Sequence, residues 1–186
     1  MMTSKNPLAP GAMRLVAGAA MILTLVGCSK AAPADKGPRI ELTAEARSGI
    51  DRALGAYDDI RSKLASDQIA VSGDAQRLEQ AAADASKDVP PSLRPTLESL
   101  SAAARDLQRA DQDDPGAVRE AFGNVSRATI ALVGADSTLS EGRQVYECSM
   151  RKGYGKWIQT TDKIANPYMG SGMLECGAEV AWDENP

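Results

Sequence analysis

The chain has 186 residues, 25 acidic against 21 basic, a net charge of −4 and no histidine. A length of this order suits one domain with enough chain to bury a core. The acidic balance argues against nucleic-acid binding and against docking through a polybasic patch. The absence of histidine removes the Ser-His-Asp and Cys-His arrangements of nucleophilic catalysis and the Glu-x-x-His pattern of di-metal carboxylate bundles.

In chain order, Arg14 precedes an apolar run from Leu15 to Val26, too short for a comfortable membrane span and typical of a secretory leader. The run ends in Leu25-Val26-Gly27-Cys28, which resembles the lipobox of bacterial lipoproteins. The resemblance implies a signal peptide over residues 1–27 and lipidation of Cys28, which becomes the first mature residue. Ser29 rather than aspartate follows, and the sorting rule of such lipoproteins then implies the periplasmic face of the outer membrane. Lys5 and Arg14 are the only charges lost with the leader, so the mature chain carries about −6. Residues 28–41, small, polar and proline-bearing, read as a flexible tether.

Residues 42–142 read as helical. Ile50, Leu54, Tyr57, Ile60 and Leu64 mark one face of a first helix capped by Thr43. A second helix is expected after a cap at Asp67, carrying Val71, Leu78, Ala82 and Ala85. Pro90-Pro91 interrupts the chain, and Ser92 is expected to cap a third helix with Leu93, Leu97, Leu100, Ala104 and Leu107 on one stripe and Pro95 in its first turn. Asp114-Pro115 opens a fourth helix carrying Val118, Phe122, Val125, Thr129 and Leu132, which Gly134 can close. Four such stripes on short connections predict a mainly all-α protein built as an up-and-down four-helix bundle, its many alanines implying close helix approach.

Residues 143–186 differ in character and read as a small irregular cap packed on the bundle. Both tryptophans lie here, as do Cys148, Met150, Met169, Met173 and Cys176. Short strands are expected at 145–148 and 156–160 around the Arg-Lys-Gly-Tyr-Gly turn, with a last strand within 178–182. An extended backbone puts Cys148 and Met150 on one face, and a helical turn does the same for Met173 and Cys176. Two thiolates and two thioethers form a soft donor set suited to copper(I) or silver(I), with Met169 as a spare sulfur. The other reading is a structural Cys148–Cys176 disulfide, since an even cysteine count in an oxidising compartment usually pairs. Such a bridge stabilises by roughly 3–4 kcal/mol in the chain-entropy model. Both readings stand on the residues alone.

The residues Cys148, Met150, Trp157, Ile158, Gln159, Ile164, Asn166, Pro167, Tyr168, Gly170, Met173, Cys176 and Gly177 form a pattern. Read as Cys-x-Met, Trp-Ile-Gln, Asn-Pro-Tyr and Met-x-x-Cys-Gly, it resembles a bacterial periplasmic domain of unknown function with a helical first part. That domain occurs in lipoproteins and is appended to adaptor subunits of heavy-metal efflux pumps. The resemblance covers about residues 50–180 and implies a soft-metal role with an efflux adaptor as partner. Ser149 stands where the family has proline and Met169 where it has an aromatic residue; the first change loosens the turn presenting Met150, and the second adds a soft donor. The expectation is a lipid-anchored protein, not an enzyme, requiring no cofactor. Its cap either binds or senses copper(I) or silver(I) or serves as a disulfide-stapled protein-interaction module.

Overall fold

The structure, a computed structural model, describes residues 38–182. Cys28, the leader, most of the tether and the last four residues lie outside them. The described chain is mainly helical, with a small antiparallel sheet near its C-terminal end.

Helix α1 spans Ala44–Ala65 and starts where the hydroxyl of Thr43 accepts the N–H of Ala46 at 3.1 Å. Its apolar stripe from Ile50 to Leu64 is buried. The helix ends at Ser66, and Asp67 then takes a left-handed conformation with φ 59°. Asp67 is therefore not the cap of the next helix. Helix α2, Ser72–Asp88, begins four residues after Gln68 with the apolar Val71 at its cap position. Burial of Val71 decides this start, and its N–H is shared between the carbonyl of Ile69 and the side-chain oxygen of Gln112, each at 2.9 Å. Gly49 of α1 faces Ala85 of α2 so closely that a Cβ there would lie 3.0 Å from the alanine methyl. This is the close approach that small residues permit.

Helix α3, Arg94–Arg109, has Leu93 rather than Ser92 at its cap position and Pro95 in its first turn. The carbonyl of Pro90 takes the N–H of Leu93, and the buried Leu93 side chain anchors the start, leaving Ser92 outside the helix. Helix α4, Pro115–Gly134, opens as expected, with the carboxylate of Asp114 accepting the N–H of Gly116 at 2.7 Å and Pro115 in the first position. Each helix packs on the next in sequence, and α4 also touches α1.

Strands β1 (Gln144–Glu147), β2 (Lys156–Gln159) and β3 (Ala178–Val180) form a sheet in the order β2-β1-β3, with Tyr146 opposite Trp157 on one side and Glu179 on the other. A single 3₁₀ turn, Gly170–Met173, lies between β2 and β3. Buried cap residues Val145, Tyr146, Cys148, Trp157, Ile158 and Tyr168 join the helices' apolar residues in one core.

Strand β2 is an edge strand, and its outer backbone groups must find partners beyond the sheet. The hydroxyl of Tyr57 on α1 accepts the N–H of Ile158 at 3.1 Å and lies 3.1 Å from the hydroxyl of Ser126 on α4. Ser126 donates to the carbonyl of Lys156 at 2.8 Å, and the Tyr168 hydroxyl donates to the same oxygen at 2.7 Å. Burial pushes the Tyr57 phenol up to about 12, with the Ser126 and Ile158 hydrogen bonds opposing it only in part, so the hydroxyl keeps its proton across the physiological range. Rings continue the same contact: Tyr57 stacks on Phe122 at 5.7 Å, Phe122 meets Tyr168 at 5.6 Å, Tyr168 meets Trp157 edge-on at 6.1 Å, and Trp157 stacks on Tyr146 at 5.7 Å.

Removing one oxygen tests this junction. Tyr57→Phe keeps the ring but leaves the buried Ile158 N–H unpaired, and is expected to cost about 1–3 kcal/mol. Denaturant unfolding followed by tryptophan fluorescence should show that loss; an unchanged midpoint would mean that Tyr57 does not hold β2.

Candidate functional site

Cys148 follows β1 directly. Its N–H extends the ladder to the carbonyl of Gly155 at 3.0 Å, and its own carbonyl accepts the N–H of Arg151 at 3.1 Å, which closes a turn. The extended backbone expected through Met150 thus stops at Glu147, because the chain must reverse to pair β1 with β2. Gly155 belongs to this reversal, since a Cβ there would lie 2.8 Å from the Cys148 carbonyl oxygen. As a result Cys148 is buried while Met150, two residues on, is 60 % exposed.

Cys176 is placed by a second loop whose hub is Asn166. The Asn166 oxygen accepts the N–H groups of Tyr168 and Met169, and its amide donates to the carbonyl of Cys176 at 2.5 Å, with the whole side chain buried. Cys176 bonds back through its N–H to the carbonyl of Met173 at 3.0 Å, so this pair sits on one turn as expected, with Met173 38 % exposed. Gly177 follows because a Cβ there would meet the Trp157 ring at 2.7 Å. Gln159 holds the loop from its other end: its oxygen accepts the Trp157 indole N–H at 3.0 Å and the Ala165 N–H at 3.2 Å, and its amide donates to the carbonyls of Thr161 and Lys163. The Trp-Ile-Gln, Asn-Pro-Tyr and Cys-Gly segments are therefore one hydrogen-bonded assembly whose outcome is the position of Cys176.

The two sulfurs lie 3.2 Å apart, and both cysteines are thiols. Burial of Cys148 opposes its ionisation, but hydrogen bonds to its sulfur from Cys176, from Asn166 and from the backbone N–H groups of Met150 and Arg151 outweigh it and bring the pKa down. Cys176 is pushed up, first because it gives its hydrogen bond to Cys148. The dithiol therefore tends to lose one proton early and hold the other. Among the described residues no group of three or more His, Cys, Asp or Glu side chains is arranged to hold a metal. An ion between the two sulfurs would have the thiolates as its only anionic ligands. The exposed Met150 and Met173 do not converge inward with the cysteines, and Met169 is partly buried against the core as filling.

A latch that the sequence reading missed fastens the loop to the helices. Asp67 accepts from Arg119 at 2.7 Å and from the N–H of Ser171 at 2.9 Å, and also from the Ser171 hydroxyl; Arg119 in turn donates to the carbonyls of Pro167 and Leu64. The Ser171 bonds are the main reason that the Asp67 carboxyl stays below its ordinary value. Gly170 has φ 61°, and a Cβ there would fall 1.8 Å from the Asp67 oxygen. The only sequence signal was an aspartate just after a helix end, a place where left-handed backbone is common for this residue.

Comparison with family models, with curated proteins and with solved structures found no match.

The pKa directions set a pH dependence. Cys148, lowered on folding, adds stability that is complete above the ordinary thiol pKa and lost as pH falls through its own. Cys176, raised, adds stability present below the ordinary value and lost as pH climbs through its own. Relative to the Cys148→Ser/Cys176→Ser protein, the reduced protein is expected to be most stable near the ordinary thiol pKa. Denaturant midpoints measured across that range check this, and a monotonic difference would contradict it.

Proposed function

We propose that this protein is a lipid-anchored envelope protein that binds copper(I) or silver(I) through Cys148 and Cys176, one ion per domain. The observation that carries this reading is the approach of two thiol sulfurs to 3.2 Å, with Met150 in the turn after one and Met173 in the turn before the other. Thiolates are the ligands of choice for such soft ions. With metal–sulfur distances of about 2.3 Å, the sulfurs need open by only about an ångström to admit an ion. Met150 and Met173 stand exposed in the adjoining turns outside the core, so a move of either thioether toward the ion requires no unpacking. Hydrogen bonds to the Cys148 sulfur favour the thiolate that a metal requires.

The remaining parts of the reading rest on the sequence. The apolar run ending in Leu-Val-Gly-Cys28 supports a lipid anchor at the periplasmic face of the outer membrane, and no described helix is long and apolar enough to cross a membrane. The motif resemblance supports an efflux adaptor as partner, the acidic balance supports a function without nucleic acid, and the lack of histidine supports a non-enzymatic role. Short connections and the packing of each helix on the next support an up-and-down bundle as the platform for the cap.

One observation favours a second reading. A separation of 3.2 Å is about 1.2 Å more than a disulfide bond, so a small closure yields a Cys148–Cys176 bridge. The cap would then be a stapled protein-interaction module without metal.

A competition titration of the reduced mature protein with copper(I) and with silver(I), against a chelator of known affinity, separates the two. One ion should bind per domain. Cys148→Ser or Cys176→Ser should weaken binding by roughly two orders of magnitude, about 2.8 kcal/mol. Met150→Leu and Met173→Leu should cost less, because a thioether brings no charge, and Met169→Leu least, since that side chain lies against the core. Oxidation to the disulfide should abolish binding. Affinity no better than that of the Cys148→Ser/Cys176→Ser protein leaves the stapled module standing. Anchoring is tested separately: Cys28→Ala should eliminate lipid labelling and release the protein from membranes, and a variant that remains lipid-labelled would refute the anchor.

A further inference from the structure

Beside the turn that begins at Cys148, α4 and the segment between β1 and β2 line a half-open pocket of about 520 Å³, with Glu120, Asn124, Arg127, Arg151, Lys152 and Tyr154 among its walls. The chain as a whole is acidic, yet three cations face this space against one carboxylate. Among the described residues, none of Arg127, Arg151 and Lys152 is engaged in an ion pair. Like charges in excess repel one another, weakly where they are as exposed as Arg127 and Lys152, and an anion bound among them relieves that repulsion.

The two guanidinium groups are also held in place. Arg127 lies over the Tyr154 ring at 4.5 Å and Arg151 over the Tyr168 ring at 5.5 Å. An aromatic face fixes the plane of the fork while leaving its N–H groups to point elsewhere. The Nε of Arg151 is shielded from solvent and unpaired, so it reaches a ligand only through a shift of the Arg151 side chain, while the outer N–H groups of the fork carry the recognition. A volume of this size is that of a small-ligand pocket.

We propose that this cavity is a phosphoryl-binding site. The three cations less Glu120 leave two positive charges in excess, which matches a phosphoryl dianion. Planar guanidinium forks pair with such a group through two parallel hydrogen bonds, and the exposed ammonium of Lys152 adds a point charge at the mouth. A free phosphate-bearing solute offers that dianion, and the phosphate of a lipid headgroup, a diester with one charge, offers the same oxygen acceptors with half the charge. The site is separate from the two cysteines, although the turn that carries Arg151 and Lys152 begins at Cys148.

Inorganic phosphate, titrated into the full mature protein at constant ionic strength and followed by backbone amide chemical shifts, should give one saturable site with shifts centred on Arg127, Arg151, Lys152 and Gly153. Lys152→Glu changes an exposed turn residue and should weaken binding at least tenfold. Arg151→Lys keeps the charge but removes the fork and should weaken binding several-fold, with circular dichroism confirming that both variants remain folded. The control Arg109→Gln/Lys163→Gln removes two charges elsewhere and should change affinity less than twofold. Co-sedimentation with phosphatidylcholine vesicles, with and without phosphatidylglycerol, distinguishes the sources. Lys152-dependent capture by the anionic vesicles assigns the headgroup, and phosphate saturation without capture assigns a free solute. Absence of saturation together with absence of Lys152-dependent capture overturns the proposal, as does an equal loss in the control variant.

Discussion

The outer edge of strand β2 is the constraint on which the rest of the cap depends. A short three-stranded sheet has little stability alone, and an unpaired edge in a buried setting costs the desolvation of every unsatisfied N–H and carbonyl. Here the helices complete the edge: Tyr57 receives Ile158, and Ser126 and Tyr168 serve the carbonyl of Lys156. The sheet is thereby fixed in register on α1 and α4. Everything placed by the sheet, including the turn that begins at Cys148, inherits its position from those hydroxyls.

A row of aromatic rings extends this junction into the cap and explains its composition. Trp157, fully buried between Tyr146 and Tyr168, is wide enough that only glycine fits at position 177 beside it. Its indole N–H in turn needs an acceptor, which Gln159 supplies while gathering the 161–165 loop. Asn166 repeats the device one step later and ends on the carbonyl of Cys176. The cysteines thus meet because two polar side chains and one large ring dictate the course of a loop that has almost no regular structure.

The dithiol sits between rigid and adjustable surroundings. Cys148 is buried and held by backbone donors, whereas Cys176 is partly exposed and lies on the loop latched through Asp67 and Ser171. Of the two partners, Cys176 has the freer environment to move. Either product of the proposed chemistry, a metal bridge or a disulfide, requires a change of about an ångström in the sulfur separation, and the loop is the element able to provide it. The cation-lined cavity uses the opposite end of the same short turn, with its guanidinium groups held by tyrosine rings.

Helix stripes, the caps at Thr43 and Asp114, the proline break and the three short strands were legible in the sequence because each follows from local spacing: apolar residues every three to four positions, a side-chain acceptor beside free N–H groups, and glycine at a reversal. The caps expected at Asp67 and Ser92 failed for a common reason. Burial of the neighbouring Val71 and Leu93 decided where α2 and α3 begin, and Gln112, far along the chain, supplied an acceptor at Val71. Local pattern likewise identified the four sulfur-bearing residues Cys148, Met150, Met173 and Cys176 but not their arrangement. Chain reversal between β1 and β2 turned Met150 outward, while the Asn166 hub brought Cys176 to Cys148. Elements and donor types follow from neighbours within a few residues and so are written into local pattern. Which donors meet and which face solvent follows from packing, because a buried polar group takes its partner wherever the fold delivers one.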